Sequence, residues 1–342
     1  MTADLLTGWG VSVPVLAAPM SGGATTPDLV AAAASVGSLG FLAGGYLTGA
    51  ALAEQLDAVA VGGGTIGVNL FAPHPMPVDR AAYRRYRDLL HAEADRYGVA
   101  LPEEPLEDDD HWRDKIDLLL ERPPACASFT FGIPEPDLVA RLQRAGTVVA
   151  QTVTSPAEAR RAADAGVDAL VVQGADAGGH SATLTPEQPP ERMPLADLVA
   201  RVTGSVDLPC LATGGIATPS AAAATLAAGA VAVLAGTALL LAPEAGTSPT
   251  HRAALLRRDR ETVVTRAFSG RPARGLRNRF IDEYDARAPL GYPAVHHLTI
   301  GLRRAAAAAG DPDLVHLWAG TGYRSADERP AAETLLALAA DL

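Results

Sequence analysis

Residues 169–181 read Ala-Leu-Val-Val-Gln-Gly-Ala-Asp-Ala-Gly-Gly-His-Ser. Two side chains in this stretch can do chemistry. Gln173 carries an amide that both donates and accepts, suited to gripping a planar cofactor. His180 carries an imidazole that can face a substrate and move a proton. The run before them, Ala169 to Val172, is apolar and rich in β-branched residues, the pattern of a strand buried on both faces. A buried strand does not need the small, glycine-bearing exit that follows, whereas a ligand pressed against the backbone does. The plain alternative is an ordinary strand-to-helix loop with a surface histidine.

Similar residue types recur elsewhere along the chain. Gly214-Gly215-Ile216-Ala217 and Ala235-Gly236-Thr237 offer glycine amides and one hydroxyl, as Gly178-Gly179 also offers amides, and such groups can bind a phosphate without any lysine. Asn69 is a second side-chain amide, and together with Gln173 it can meet the donors and acceptors on the pyrimidine edge of a flavin. Ala17-Ala18-Pro19-Met20 can set backbone against the reactive edge of such a ring. For either amide alone, a structural bridge between neighbouring strands is the competing explanation.

The elements that must position these residues alternate from the start of the chain. Strand-like runs are expected over Val13–Ala18, Leu39–Ala43, Thr65–Leu70, Ala125–Phe131, Thr147–Gln151, Ala169–Gln173, Pro209–Thr213 and Val231–Ala235. Helices are expected near 27–35, 48–59, 135–144, 156–165, 194–204 and 218–228, with Thr26-Pro27 and Ser155-Pro156 as start signals. Residues 74–122 interrupt the rhythm with Pro-rich turns, a charged helix near 79–97 and a second near 111–121, and read as an insertion after the third strand. Eight strands, each followed by helix or loop, is the count of a (β/α)8 TIM barrel, an α/β fold. The chemically notable residues then fall at the C-terminal ends of strands, the face that carries the site in such barrels, and the loops after strands seven and eight are the usual phosphate seat. Beyond about residue 245 the chain leaves the repeat, with a helix near 249–258, a strand over Thr262–Ala267 and an Ala-rich helix near 295–309. The expected division is a barrel over 1–245, a smaller substrate-side region over 246–325, and a C-terminal helix within 326–342.

Composition narrows the function classes. The 342 residues are 48% hydrophobic and 5% aromatic, with a net charge of −11, which argues against nucleic acid or an anionic membrane surface as the main partner. The acidic cluster Glu103, Glu104, Glu107 and Asp108 to Asp110 reads as a solvated loop. The isolated cysteines Cys126 and Cys210 offer neither a disulfide framework nor a metal spacing, and the N-terminal residues lack the positive region of a signal peptide, so the expected location is the cytoplasm. Ala221 to Pro243 carries no charge but divides into a helix end, a strand and a glycine turn instead of a membrane span.

Taken in order, Ala17-Ala18-Pro19-Met20-Ser21-Gly22-Gly23, Gly67-Val68-Asn69-Leu70-Phe71, Gln173-Gly174-x-x-Ala177-Gly178-Gly179-His180, Gly214-Gly215-Ile216-Ala217, Gly236-Thr237 and Ser269-Gly270-Arg271-Pro272-Ala273-Arg274 resemble the nitronate monooxygenase family, formerly called 2-nitropropane dioxygenase. The match spans about residues 13–280, with a similar Trp318-Ala319-Gly320 tail. The resemblance implies an FMN-dependent oxidoreductase that oxidises alkyl nitronates, and nitroalkanes as a second class, with O2 to carbonyl compounds and nitrite. It places FMN on Asn69, Gln173, Gly178, Gly215 and the Leu234, Ala235, Gly236 and Thr237 loop, and the strand-end residues Ala18, Pro19, Met20, Gly179 and Gly214 complete the expected cofactor site. It makes His180 the active-site histidine, acting as base or holding the anionic nitronate by hydrogen bond or charge, with titration near neutral pH. Asp176 stands where the family usually has Glu, Ala182 where Gly is common, and Leu234 where Gln is frequent. The implied partners are a small nitronate or nitroalkane and O2, in a monomer or homodimer.

A flavin-dependent NAD(P)H reductase on the same scaffold, of enoyl-acyl-carrier-protein or quinone type, is the competing enzyme class, and a flavin-free binding barrel is the non-enzymatic one. Gly62-x-Gly64-x-x-Gly67 precedes a strand and is no dinucleotide fingerprint. The adjacent pair His296-His297 could suggest a metal, but adjacent residues point to different sides of an element, so no metal site is expected. Arg271, Arg274 and Arg277 suit either ligand contact or surface ion pairs. Trp318 and Tyr46 suit either the core or the pocket wall.

Overall fold

The computed structural model describes residues 2–60, 64–188 and 191–342. The elements run α1 (Thr2–Gly8), β1 (Val15–Ala17), α2 (Pro27–Ser35), β2 (Gly40–Ala43), α3 (Gly49–Ala60), β3 (Ile66–Ala72), α4 (Arg80–Leu89), α5 (His91–Tyr97), α6 (Trp112–Glu121), β4 (Cys126–Phe131), α7 (Pro136–Arg144), β5 (Val148–Val153), α8 (Pro156–Asp164), β6 (Ala169–Gln173) and β7 (Gly179–His180). They continue with α9 (Leu195–Thr203), β8 (Cys210–Thr213), α10 (Pro219–Ala227), β9 (Ala232–Ala235), α11 (Pro249–Arg257), β10 (Thr262–Thr265), β11 (Ala273–Leu276), α12 (Arg279–Tyr284), α13 (Ala294–Ala308) and α14 (Ala331–Leu338).

Eight parallel strands close in the order β1-β2-β3-β4-β5-β6-β8-β9, so the chain is a (β/α)8 barrel. Thr26, Ser155 and Thr218 cap their helices by accepting from the backbone N–H three residues on, each followed by proline at the first helical position. Strand residues alternate between two layers. Leu16, Phe41, Cys126, Ala150, Val171 and Leu211 fill the barrel interior, while Val68, Leu70, Ala127, Val149, Leu170 and Val172 face the helices. The register sets Asn69 opposite Ser128 and Gln173 opposite Thr213, so the two amides sit near the C-terminal rim.

Several elements differ from expectation for local reasons. β3 and β5 extend two residues beyond the expected ends because Phe71 and Ala72 find partners in Thr130 and Phe131, and Thr152 and Val153 in Val171 and Val172. The expected helix over 79–97 breaks at Leu90 into α4 and α5. The strand expected to reach Ala267 stops at Thr265, where the Thr265 hydroxyl and the Arg266 N–H both donate to Asp285. α1, β7, β11 and α12 were not expected. Of the Gly62/Gly64/Gly67 letters, Gly62 lies outside the described residues and Gly67 sits inside β3. No described helix is long and apolar enough to cross a membrane.

Two excursions leave the C-terminal ends of strands. After β3 the chain forms α4 and α5 before returning as α6, which packs between α3 and α7. After β9 it forms α11, β10, β11, α12 and α13 before returning as α14, which packs against α2, α10 and β1. The excursions share one apolar core: Tyr83 and Tyr86 of α4 pack with Phe268, Phe280, Leu298 and Leu302. This core forms a cap over the rim.

The acidic loop ties the cap to the barrel and is less solvated than its composition suggests. Asp110 accepts from Lys115 Nζ at 2.7 Å and from the Tyr46 N–H at 2.8 Å, and Lys115 also donates to the Gly44 carbonyl at 2.8 Å. Lys115 is 1% exposed. Asp108 meets His297 Nε2 at 2.7 Å. Removing one partner of a buried ion pair strands the other charge. Lys115→Met is therefore expected to lower unfolding stability by about 3–5 kcal/mol in denaturant titration; an unchanged midpoint would show that the pair is not holding the Gly44–Tyr46 turn.

Candidate active site

A cavity of about 440 Å³ lies between the barrel rim and the cap, a size suited to a cofactor with a small substrate. Its floor is a polar layer at the strand ends. Asn69 donates through Nδ2 to the Ser128 hydroxyl at 2.9 Å and to the Thr130 hydroxyl at 3.0 Å, and Thr130 meets Thr152 at 3.3 Å. Asn69 thus bridges strands with its nitrogen, while its Oδ1 makes no hydrogen bond to the described residues. Gln173 is engaged at both ends by the loop it precedes: Nε2 donates to the His180 carbonyl at 3.2 Å and Oε1 accepts from the Ala182 N–H at 2.8 Å. Its remaining proton and lone pair can serve a ligand.

Of the residues singled out in the sequence, Ala18, Pro19, Met20, Asn69, Gln173, Gly178, Gly179, His180, Gly214, Gly215, Leu234, Gly236 and Thr237 all line this cavity. Ala235 does not; its side chain packs on the helix side with Val15, Ala17 and Leu239. The alternation of β9 requires this, since Leu234 and Gly236 point the other way.

The glycine loops form a cradle. Gly214 and Gly215 have φ of 116° and 78°, left-handed backbone that turns the strand exit over the cavity. Thr237 Oγ1 accepts from the Gly320 N–H at 2.9 Å, so its own proton is free to donate into the cavity. Gly178 allows a backbone-to-backbone approach: a Cβ there would lie 2.6 Å from the Gly320 nitrogen. Amides, a hydroxyl and room close to the backbone fit a phosphate, and the two amides on the floor fit the polar edge of a flavin ring, so the residues present fit FMN.

His180 is fixed from the cap. β7 pairs antiparallel with β11, His180 opposite Ala273 and Gly179 opposite Arg274, and the Ser181 N–H donates to the Pro272 carbonyl at 2.8 Å. His180 Nε2 meets the Ser269 hydroxyl at 2.8 Å, and Ser269 lies 3.3 Å from the Arg271 carbonyl. When Ser269 donates its proton to Nε2, the single N–H of the neutral ring sits on His180 Nδ1 and can donate to a ligand. Phe131, Tyr292 and Trp318 surround the ring at centroid distances of 5.7, 5.7 and 5.6 Å. Tyr46 and Phe131, both cavity-lining, hold φ of 68° and 80°, backbone strain of the kind that collects at functional sites.

The expectation that His180 titrates near neutrality is corrected. Burial, with the Arg271 and Arg303 guanidinium groups adding to it, pushes His180 down to about 3. The imidazole is neutral at pH 7, so it has a hydrogen bond and no charge of its own to offer an anion.

The three arginines separate. Arg271 is 0% exposed, donates to the Ser181 carbonyl at 3.2 Å and to the Thr183 carbonyl, and lies 4.0 Å above the Phe131 ring. Arg274 donates to the Ala175 carbonyl at 2.8 Å. Both pin the loop that carries His180. Arg277 pairs with Glu261 and Asp282 at the surface.

Residues missed in the sequence include Ser128, Thr130, Thr152 and Thr213 on the floor, and His251, His296, Arg303 and His316 on the cap side. The floor residues had a signal: each is a polar residue near the end of an otherwise apolar strand. So had α13, where His296, Ile300, Arg303 and Ala307 follow a helical stripe. His296 stacks on Tyr46 at 4.4 Å while His297 faces Asp108, so the adjacent histidines have separate partners.

Comparison with known proteins gives a consistent picture. Residues 4–341 match the family model described as nitronate monooxygenase. A probable nitronate monooxygenase of Staphylococcus aureus (strain Newman) is 34% identical over 336 residues, covering 94% of this chain and 92% of that protein. The crystal structure of a nitroalkane oxidase from Streptomyces ansochromogenes superposes with a TM-score of 0.93 at 42% identity, covering 97% of this chain and 96% of that one. FabK from Thermotoga maritima is more distant, with a TM-score of 0.75 at 26% identity over 99% and 94% of the two chains. The strand-end cavity and the match along the whole chain lead to one conclusion: this chain belongs to the nitronate monooxygenase family and is an oxidoreductase.

Proposed function

We propose that the protein is FMN-dependent and oxidises alkyl nitronates with O2 to carbonyl compounds and nitrite. The observation that carries this reading is the placement of His180, held by Ser269 and the β7–β11 pairing in a strand-end cavity that the buried Arg303 also lines, with Arg271 buried beside its loop. FMN, when bound, supplies the one-electron chemistry linking the nitronate to dioxygen. The barrel, residues 1–245, would hold it: Asn69 and Gln173 would meet the ring's polar edge, Ala18, Pro19 and Met20 would bring backbone alongside, and Gly178, Gly179, Gly214, Gly215, Gly236 and Thr237 would donate to the phosphate. The region over 246–325 closes the substrate side.

The guanidinium charges that add to burial in keeping His180 neutral also favour an anion beside it. A nitronate is such an anion, whereas a neutral nitroalkane must first lose a proton to a base. An imidazole held this far below neutrality is a weak base and an intact hydrogen-bond donor, so nitronates are the better substrates of the two. Phe131, Tyr292 and Trp318 exclude water around that hydrogen bond and strengthen it.

His180→Ala is expected to keep its FMN, read by the flavin spectrum, and to lose roughly 100-fold in turnover of ethyl nitronate; wild-type turnover in the variant would remove His180 from the reaction. A second expectation concerns pH. Because the folded pKa is depressed, His180 is neutral at all pH values well above 3, and kcat/KM for preformed nitronate should show no step from this residue between pH 5 and 8. A step near pH 6.5 that disappears in His180→Ala would contradict the depressed value.

A further inference from the structure

The cap holds a cation without a counterion. Arg303 is 4% exposed and lines the cavity. Its Nε donates to the Thr299 hydroxyl at 3.0 Å, and its Nη2 to the His296 carbonyl at 3.1 Å, with His296 Nδ1 at 3.2 Å. Its Nη1 has no hydrogen bond to the described residues, and none of their carboxylates forms an ion pair with it. Fully buried arginines are ordinarily paired, because an uncompensated charge in a low-dielectric site is strongly unfavourable.

A second observation points the same way. Three buried polar atoms on residues lining this cavity have no partner: His316 Nδ1, His251 Nε2 and Thr247 Oγ1. Buried polar atoms are nearly always satisfied, so orphans on cavity-lining residues point to a missing partner. His316 is close enough to Arg303 for the guanidinium to add to the burial that holds its imidazole neutral. All four residues belong to the cap side, whereas the glycine cradle at Gly214, Gly215, Gly236 and Thr237 belongs to the barrel strands.

We propose that Arg303 Nη1 and His316 Nδ1 form an oxyanion subsite on the cap, separate from the phosphate cradle, that takes a small planar oxyanion of the nitrite or carboxylate type. Nη1 carries two N–H donors that the described residues leave free, and a neutral imidazole can donate the further hydrogen bond. The anion supplies the missing countercharge to Arg303. His251 and Thr247 continue the polar lining beyond His316. The subsite stands whether or not the protein oxidises nitronates, since it rests on the unpaired groups alone.

The test uses FMN-loaded protein in chloride-free buffer, with sodium nitrite and sodium acetate as probes. Calorimetric titration should give saturable binding, and each bound anion should raise the melting temperature. Arg303→Met should weaken binding at least about tenfold and abolish the melting shift. His316→Phe, which keeps a ring but loses the orphan nitrogen, should weaken binding without loss of fold, and so tests the site independently of the arginine variant. Tighter nitrite would assign the subsite to a released inorganic anion, and tighter acetate to an acid group carried by a substrate; either upholds it. Absence of saturable binding in the wild type, wild-type affinity in both variants, or binding that vanishes once FMN is loaded would overturn it.

Discussion

The antiparallel pairing of Gly179–His180 with Ala273–Arg274 joins a barrel loop to the cap, and the geometry of the cavity depends on it. In a plain barrel the loop after β6 would run straight into the next helix. Here it is drawn upward into a three-stranded sheet, β10-β11-β7, whose other strands come from beyond the last barrel strand. Arg271 and Arg274 secure that loop by donating to its carbonyls, and Gln173 secures it from below through the His180 carbonyl and the Ala182 N–H. Ser269, one turn before β11, then contacts the imidazole itself. The histidine is thereby positioned by residues far apart in the chain.

The same arrangement sets the electrostatics. A chain with net charge −11 encloses a cavity whose nearest buried charges are guanidinium groups. Arg271 is satisfied by carbonyls and Arg303 partly so, and neither is neutralised by a carboxylate within ion-pair distance. Burial keeps His180, His296 and His316 neutral at physiological pH, with Arg303 adding to it at all three and Arg271 at His180. The acidic residues lie mainly outside, where Asp108 and Asp110 tie the loop before α6 to α13 and to the Tyr46 turn. An anionic substrate entering this space meets donors and positive potential, while the protein as a whole remains acidic.

The barrel was legible because its signals are local. Apolar strands of three to seven residues, Thr-Pro and Ser-Pro helix starts and glycine-bearing strand exits repeat along the chain, and β6 occupies the span its pattern indicates. The glycine cradle was legible for the same reason. The cap was not, because its order comes from tertiary pairing. β7 is two residues long and contains a glycine, so no propensity marks it, and it exists only because β11 lies beside it. The distinct fates of Arg271 and Arg277, six residues apart, likewise depend on burial that the sequence does not display. His180 itself was identifiable, but its protonation was not: the depressed pKa comes first from burial under the cap, with two arginines distant in the chain adding to it.

The central claim is that this cavity uses a flavin to oxidise a nitronate and is not primarily a nicotinamide-driven reductase. It is tested most directly by rapid anaerobic mixing of the FMN-loaded protein with ethyl nitronate, NADH and NADPH in separate experiments. The account predicts that the flavin absorbance bleaches faster with the nitronate than with either nicotinamide, and that admitting O2 yields nitrite. Rapid bleaching by NADH or NADPH that outruns the nitronate, with no nitrite formed, would contradict it.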